Sequence, residues 1–161
     1  METKKYAYEQ RILSWINSED FRKYIDQNFE LMAEIPDSFL SKLTNEKMKA
    51  IQNRAAFQFK PDILIFATSK RDKHTELIFI NREISPINLR ELGEIKIYSE
   101  IAKPMISFII SPNGPSNEVN LLLLRSEIQK KLLEYGDGKK IHIILLPEDK
   151  NKESTLLFPM N

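Results

Sequence analysis

Apolar positions in the first third of the chain recur at helical steps. Ile12, Leu13, Trp15 and Ile16 form one face, and the polar "NSED" after them suits a break and a new helix start. Phe21, Tyr24, Ile25, Phe29 and Met32 then recur every three or four residues and predict a second helix, ended by "IPD". Leu40, Leu43, Met48 and Ile51 predict a third. Residues 1–55 are therefore expected to be a helical region packed on the rest of the chain, because its large side chains need a surface to cover.

From residue 56 the period changes. "FQFKPDILIFA" and "ELIFINREI" read as strands joined by the polar turn "TSKRDKHT". Pairing them symmetrically about residues 71 and 72 sets Asp62 opposite Asn81 and Leu64 opposite Phe79. "SPINLRELGEIKIYSEIAKP" predicts a helix with Ser85 as N-cap, Pro86 at its first position and a stop at Lys103-Pro104. Leu89, Leu92, Ile95, Tyr98 and Ile101 form its stripe, and Gly93 costs that helix only about 1 kcal/mol. "MISFIIS" reads as a buried strand, "SNEVNLLLLRSEIQKKLLEY" as a helix capped by Ser116 or Asn117, and "KIHIILLPE" as a last buried strand before the apolar tail "TLLFP". Helices followed by β-β-α-β-α-β imply an α/β fold, with a mixed central sheet flanked by helices and an N-terminal helical extension. Residues 56–161 would form the core, the whole being one compact domain.

Composition narrows the functional classes. The 161 residues are 42% hydrophobic and 29% charged, as in soluble globular proteins. Lys+Arg (24) and Asp+Glu (23) nearly cancel, so no global field draws the chain onto nucleic acid or an anionic membrane. The lack of Cys excludes disulfides and thiolate chemistry. "METKKYAYEQ" has no apolar signal core and no apolar run nears the ~20 residues of a membrane span, so a cytoplasmic protein without membrane contact is expected. His74 and His142 form no HxH or HxxxH pair, and His142 in "KIHIILL" reads as a strand residue rather than a ligand. "YGDGKK" lacks the GxxxxGK[ST] pattern of a phosphate loop and reads as a turn.

In their order and spacing, "KPDILIF", "LIFINRE" and "LGEIKIYSEIAKP" resemble the PD-(D/E)xK, or restriction-endonuclease-like, nuclease superfamily over about residues 56–148. The resemblance implies the fold of that name. It also implies, for active members, an Asp and a Glu on one or two Mg²⁺ ions and a Lys that helps orient and deprotonate the attacking water. Such a metal wants hard oxygen ligands, and it generates hydroxide and stabilises charge on the phosphate. Residues two apart on a strand face the same side, so Glu-x-Lys delivers both groups into one cleft. Here Asp62 matches the family Asp. Phe79 stands at the Glu position and Asn81 at the Lys position, and neither can do the required work. Glu83 and Glu94 are candidates for a migrated carboxylate, with Asp62 and Glu83 as the metal ligands if the protein is active. Glu94-x-x-x-Tyr98 takes the place of the Gln-x-x-x-Tyr motif of many members. A literal Glu94-x-Lys96 would restore the triad if residues 94–101 were a strand beside Asp62, but the Ser-Pro start, the Lys-Pro stop and the apolar stripe favour helix.

The expected function is that of a pseudo-nuclease: a non-catalytic accessory subunit of a nucleic-acid-processing or defence complex, with a protein partner and no cofactor. One alternative is an active Mg²⁺- or Mn²⁺-dependent nuclease with a migrated carboxylate. Another is a protein-interaction module without nucleic-acid contact, docking through the helices at 5–55 or through "TLLFP". Nucleic acid would be met through the partner or through a local patch of Arg82, Arg90, Lys96, Tyr98 and Lys103. Lys70, Arg71, Lys73 and His74 crowd the hairpin turn, roughly 25–30 Å from Asp62 at the rise of a strand, too far to serve that site. They read as a solvated turn, with contact to a phosphate backbone as the alternative. Lys130, Lys131, Lys139 and Lys140 read as decoration of a helix end and a turn.

Overall fold

Two apolar faces of one sheet organise the chain. The computed structural model describes residues 2–42 and 58–160. Helix α1 (Glu2–Ile16) and the single turn α2 (Glu19–Arg22) lead into strand β1 (Phe29–Glu34) and a 3-10 turn at Leu40–Lys42. Strands β2 (Ile63–Ser69) and β3 (Thr75–Arg82) form the hairpin, followed by α3 (Leu89–Ala102) and β4 (Ile106–Ser111). Helices α4 (Asn117–Leu123) and α5 (Ser126–Leu133) precede β5 (Glu134–Tyr135), β6 (Lys139–Leu145) and β7 (Thr155–Phe158). The result is an α/β fold with a mixed, open sheet of seven strands ordered β1-β2-β3-β4-β6, where β6 also carries β5 and β7.

Connection length explains the mixture. The short turn between β2 and β3 makes that pair antiparallel, and β1 joins the other edge of β2 antiparallel after a long connection, whereas the helical crossovers through α3 and through α4–α5 return the chain parallel, so β4 and β6 run with β3. Period-two alternation then sends neighbours to opposite cores. Leu64, Phe66, Leu77 and Phe79 pack with Leu92 and Ile95 of α3, Val119 and Leu123 of α4 and Leu133 of α5. Ile63, Ile65, Ile78, Ile80 and Phe108 pack with Tyr8, Ile12, Trp15 and Ile16 of α1 and Phe21 of α2. Burying each such side chain contributes about 1.5–3 kcal/mol before entropy. The α1 face is also tied down by polar groups: the Tyr8 hydroxyl donates to Leu146 O (2.9 Å), and the Arg11 guanidinium to Pro147 O (3.0 Å) and Lys152 O (2.8 Å). No helix among the described residues is long and apolar enough to cross a membrane.

The sequence pattern misleads in four places. Phe21 to Met32 is not one helix. After α2 the chain turns, and Phe29–Glu34 pairs antiparallel with β2, from Phe29 opposite Ser69 to Glu34 opposite Leu64. The reason is that β2 is almost wholly buried, so its second edge must find hydrogen-bond partners that the hairpin cannot supply. The helix expected from Leu40 begins as a 3-10 turn at Leu40–Lys42, and residues 43–57, with Leu43, Met48 and Ile51, lie outside the described residues.

Helix α3 starts later than Ser85-Pro86. Its N-cap is Asn88, whose side chain accepts from Glu91 N (3.0 Å), while the Glu91 side chain accepts from Asn88 N (2.9 Å). Ile87 is unavailable to the helix: its N–H donates to Gly114 O (2.9 Å) and its carbonyl accepts from Ser116 N (2.8 Å), bridging to the loop before α4. The long helix expected from Ser116 is capped by Ser116 but breaks after Leu123, and Gln129 Nε2 donates to Leu123 O (2.9 Å) at the break. Its last residues, Glu134 and Tyr135, instead pair with Lys140 and Lys139 across a turn in which Gly136 and Gly138 hold positive φ. Finally, the "TLLFP" tail is no loose end. It supplies β7, which covers the edge of β6 and buries Phe158.

Candidate functional site

The hairpin register is the one the sequence implies: Ile63 faces Ile80 and Leu64 faces Phe79, which brings Asp62 beside Asn81. The Asn81 side-chain oxygen accepts from Asp62 N at 3.4 Å. Phe79 is fully buried and meets Phe59 edge-on, with ring centroids 5.3 Å apart. Phe59 in turn stacks on Tyr98 at 4.5 Å. Position 79 is therefore hydrophobic core.

Asp62 is engaged by one residue, Arg82. Its Oδ1 lies 2.7 Å from Arg82 Nη1, and its Oδ2 accepts from Arg82 N at 2.8 Å. The same Nη1 lies 3.1 Å from Glu9 Oε2 of α1. These side chains are mostly enclosed, with 33% of Asp62, 18% of Arg82 and 12% of Glu9 exposed, so the clamp joins the start of β2, the end of β3 and α1. Burial raises the Asp62 pKa, and the Arg82 hydrogen bonds and charge offset that only in part.

Glu83 comes next, on the rim of the same hollow. Its N–H donates to Ile110 O (2.8 Å), which anchors it to the end of β4. Lys5, Asp62, Arg82, Glu83 and Ile84 line a cavity of about 140 Å³. The Glu91 carboxyl lies near that of Glu83, so a negative charge on both at once is disfavoured. Burial first, then the charge and hydrogen bond of Glu91 and the charge of Asp62, push the Glu83 pKa from 4.5 to about 7, with Lys5 opposing.

Compared with protein-family models, curated proteins and solved structures, the chain matches none of them. The site must be read from its own geometry.

The other candidates do not gather there. Residues 94–101 lie within α3, so Glu94 and Lys96 are two helical residues apart and point in different directions. Glu94 is exposed, and Lys96 Nζ pairs with Glu100 one turn on. Arg90 is exposed in the first turn of α3, Tyr98 is half-buried against Phe59, and Lys103 is the left-handed C-cap, its carbonyl accepting from Lys139 Nζ (3.0 Å). From Arg90 to Lys103 the helix spans about 20 Å, so these residues make a line rather than a patch. His142 is half-buried beside Tyr24 and Phe108, and burial lowers its pKa. Glu91, Glu9 and Lys5 are the site residues that sequence reasoning missed. Only Glu91 carried a signal, as the fourth residue of the capping box Asn88-x-x-Glu91.

A divalent cation does not fit this arrangement. An ion at Asp62 Oδ1 would meet the Arg82 guanidinium, and Phe79, further along β3 opposite Leu64, is buried core that offers no ligand. Among the described residues, no cluster of three or more His, Asp or Glu is arranged to hold a metal. The side chains present can instead neutralise Asp62 internally and favour a protonated Glu83.

Proposed function

We propose that this chain is a degenerate member of the PD-(D/E)xK nucleases, with their restriction-endonuclease-like fold. It has lost phosphodiester chemistry and serves as a non-catalytic, accessory subunit of a nucleic-acid-processing or defence complex. The succession of hairpin, helix, strand, helix and strand around a mixed sheet supports the fold. One observation carries the loss of chemistry: both oxygens of Asp62 are taken up by Arg82, at 2.7 and 2.8 Å, where an active site would offer them to a metal. Phe79, wholly inside the core, closes the neighbouring position.

The experiment is a cleavage assay on single- and double-stranded DNA and RNA with Mg²⁺ or Mn²⁺. Wild type, Asp62→Ala, Glu83→Ala and Glu94→Ala should share one background. The rival reading, an active enzyme with a migrated carboxylate, draws on the position of Glu83 beside Asp62 in one cavity. Activity lost in both Asp62→Ala and Glu83→Ala would establish it and end the pseudo-nuclease reading. The partner of an accessory subunit is a protein, and affinity capture with the full chain should recover the same one repeatedly.

A further inference from the structure

At the opposite end of β2 from Asp62 the surface changes character. A groove of about 590 Å³ lies between α2, the loop after it and the β2–β3 turn, lined by Glu19, Arg22, Lys23, Gln27 and Lys70. We propose that this groove binds the phosphodiester backbone of a nucleic-acid strand.

The walls of the groove are fixed by hydrogen bonds. Arg22 Nη1 donates to Phe29 O (2.8 Å), which holds the guanidinium at the head of β1. Lys70 N donates to Asn28 O (2.8 Å), and Asn28 Nδ2 to Ser69 Oγ (3.1 Å), stitching the loop to the hairpin. Lys23 lies 2.8 Å from Asp20 Oδ1 and 3.6 Å from Glu153 Oε2, so its charge is already partly matched. Asp20 itself faces inward, accepting from Trp15 Nε1 (2.9 Å) and Ser154 N (2.8 Å).

Charge then selects the ligand. Arg22 and Lys70 form no ion pair with a described residue, and Glu19 is the one carboxylate in the lining. Arg71 and Lys73, also without an ion pair among the described residues, continue the cationic row around the turn, where Asp72 is occupied by His74. Arg22, Lys70, Arg71 and Lys73 thus leave cations at this end of the sheet that the nearby carboxylates Asp20, Asp72, Glu76 and Glu153, occupied by Lys23 and His74, do not pair. Among the described residues the groove has no aromatic or apolar lining side chain to receive a base, so it suits phosphates rather than nucleobases. A row longer than the groove favours a polymer over a single free phosphate. The eight residue steps from Asp62 to Lys70 span about 25 Å, so the proposal does not rest on the pseudo-nuclease reading and a cleavage result leaves it untouched.

The test is fluorescence anisotropy of the full chain with short labelled strands and duplexes of DNA and RNA, from roughly 50 to 200 mM salt. Binding should weaken steeply with salt, with a log–log slope of about −2 to −3 for three phosphate contacts. Lys70→Gln should reduce that slope by about one, and Lys70→Glu should weaken binding at least tenfold at low salt. Arg90→Gln and Lys103→Gln on α3 should leave affinity unchanged. Fluorescence of the single Trp15, buried beneath α2, checks that each variant is folded. The proposal is overturned by absence of binding at low salt, by affinity indifferent to Lys70, or by loss mapped to Arg90 and Lys103. Binding of inorganic tripolyphosphate or anionic lipid vesicles in preference to any strand would overturn it too.

Discussion

Replacing Glu83 by Gln should remove a large part of the protein's pH dependence between pH 5 and 8. Gln keeps the size and can still hydrogen-bond Glu91, but it cannot ionise. In the folded chain the Glu83 carboxyl keeps its proton to about pH 7, while in the unfolded chain it releases it near the ordinary 4.5. Between those values the folded state binds more protons than the unfolded state, so stability falls as pH rises. The contribution of the wild-type residue is complete below pH 4.5 and is lost through pH 7. Taken at face value, the difference between pH 5 and pH 8 is about 2.5 kcal/mol. Glu83 is only half-buried, and solvent screening reduces this to about 1–1.5 kcal/mol. For a chain of this size that is a fall in Tm of about 3–5 °C beyond the fall of the variant. Urea unfolding followed by Trp15 fluorescence, on both proteins at pH 5, 6, 7 and 8, gives the two curves. Because burial is the leading cause, raising the salt should shrink the effect without abolishing it. Parallel curves for wild type and Glu83→Gln across this range would refute the raised pKa of Glu83 and its causes.

The same geometry sets other expectations. Arg82→Met leaves Asp62 and Glu9 enclosed without their hydrogen-bonded counter-charge, Lys5 remaining only as a charge nearby, and should cost about 2–3 kcal/mol in urea unfolding, whereas a change below about 0.5 kcal/mol would make the clamp a surface decoration. Phe79→Ala should cost about 3–5 kcal/mol, because it empties a site between Phe59 and the α3 face. A near-neutral result there would mean that position 79 is not packed core. Asn88→Ala should lower stability by about 1 kcal/mol, while Ser85→Ala should stay within about 0.5 kcal/mol. The reverse order would move the start of α3 back to Ser85-Pro86.

Every element whose physical cause is local could be read from the chain alone. Short apolar runs on either side of a polar turn made β2 and β3 strands, and the symmetry of that turn set their register, so Asp62 could be placed beside Asn81 without coordinates. The stripe from Leu89 to Ile95 and the stop at Lys103 made α3 a helix, which settled the fate of Glu94-x-Lys96. The continuous apolar runs at Ile106–Ser111 and Lys139–Leu145 became the buried parallel strands β4 and β6. Whatever depended on a distant partner was set by folding instead. Residues 29–34 have spacing that suits a helix, yet the unpaired edge of β2, roughly thirty residues further along the chain, draws them into a strand. The end of the long apolar helix became β5, and the tail became β7, because β6 offered them backbone partners. The chemistry of the site divides in the same way. Its carboxylates can be counted in the sequence, but which of them is neutralised depends on distances between α1, β2, β3 and α3. Only folding brings Glu9 and Arg82 to Asp62 and sets Glu91 against Glu83, and only the resulting loss of water moves a proton onto that pair.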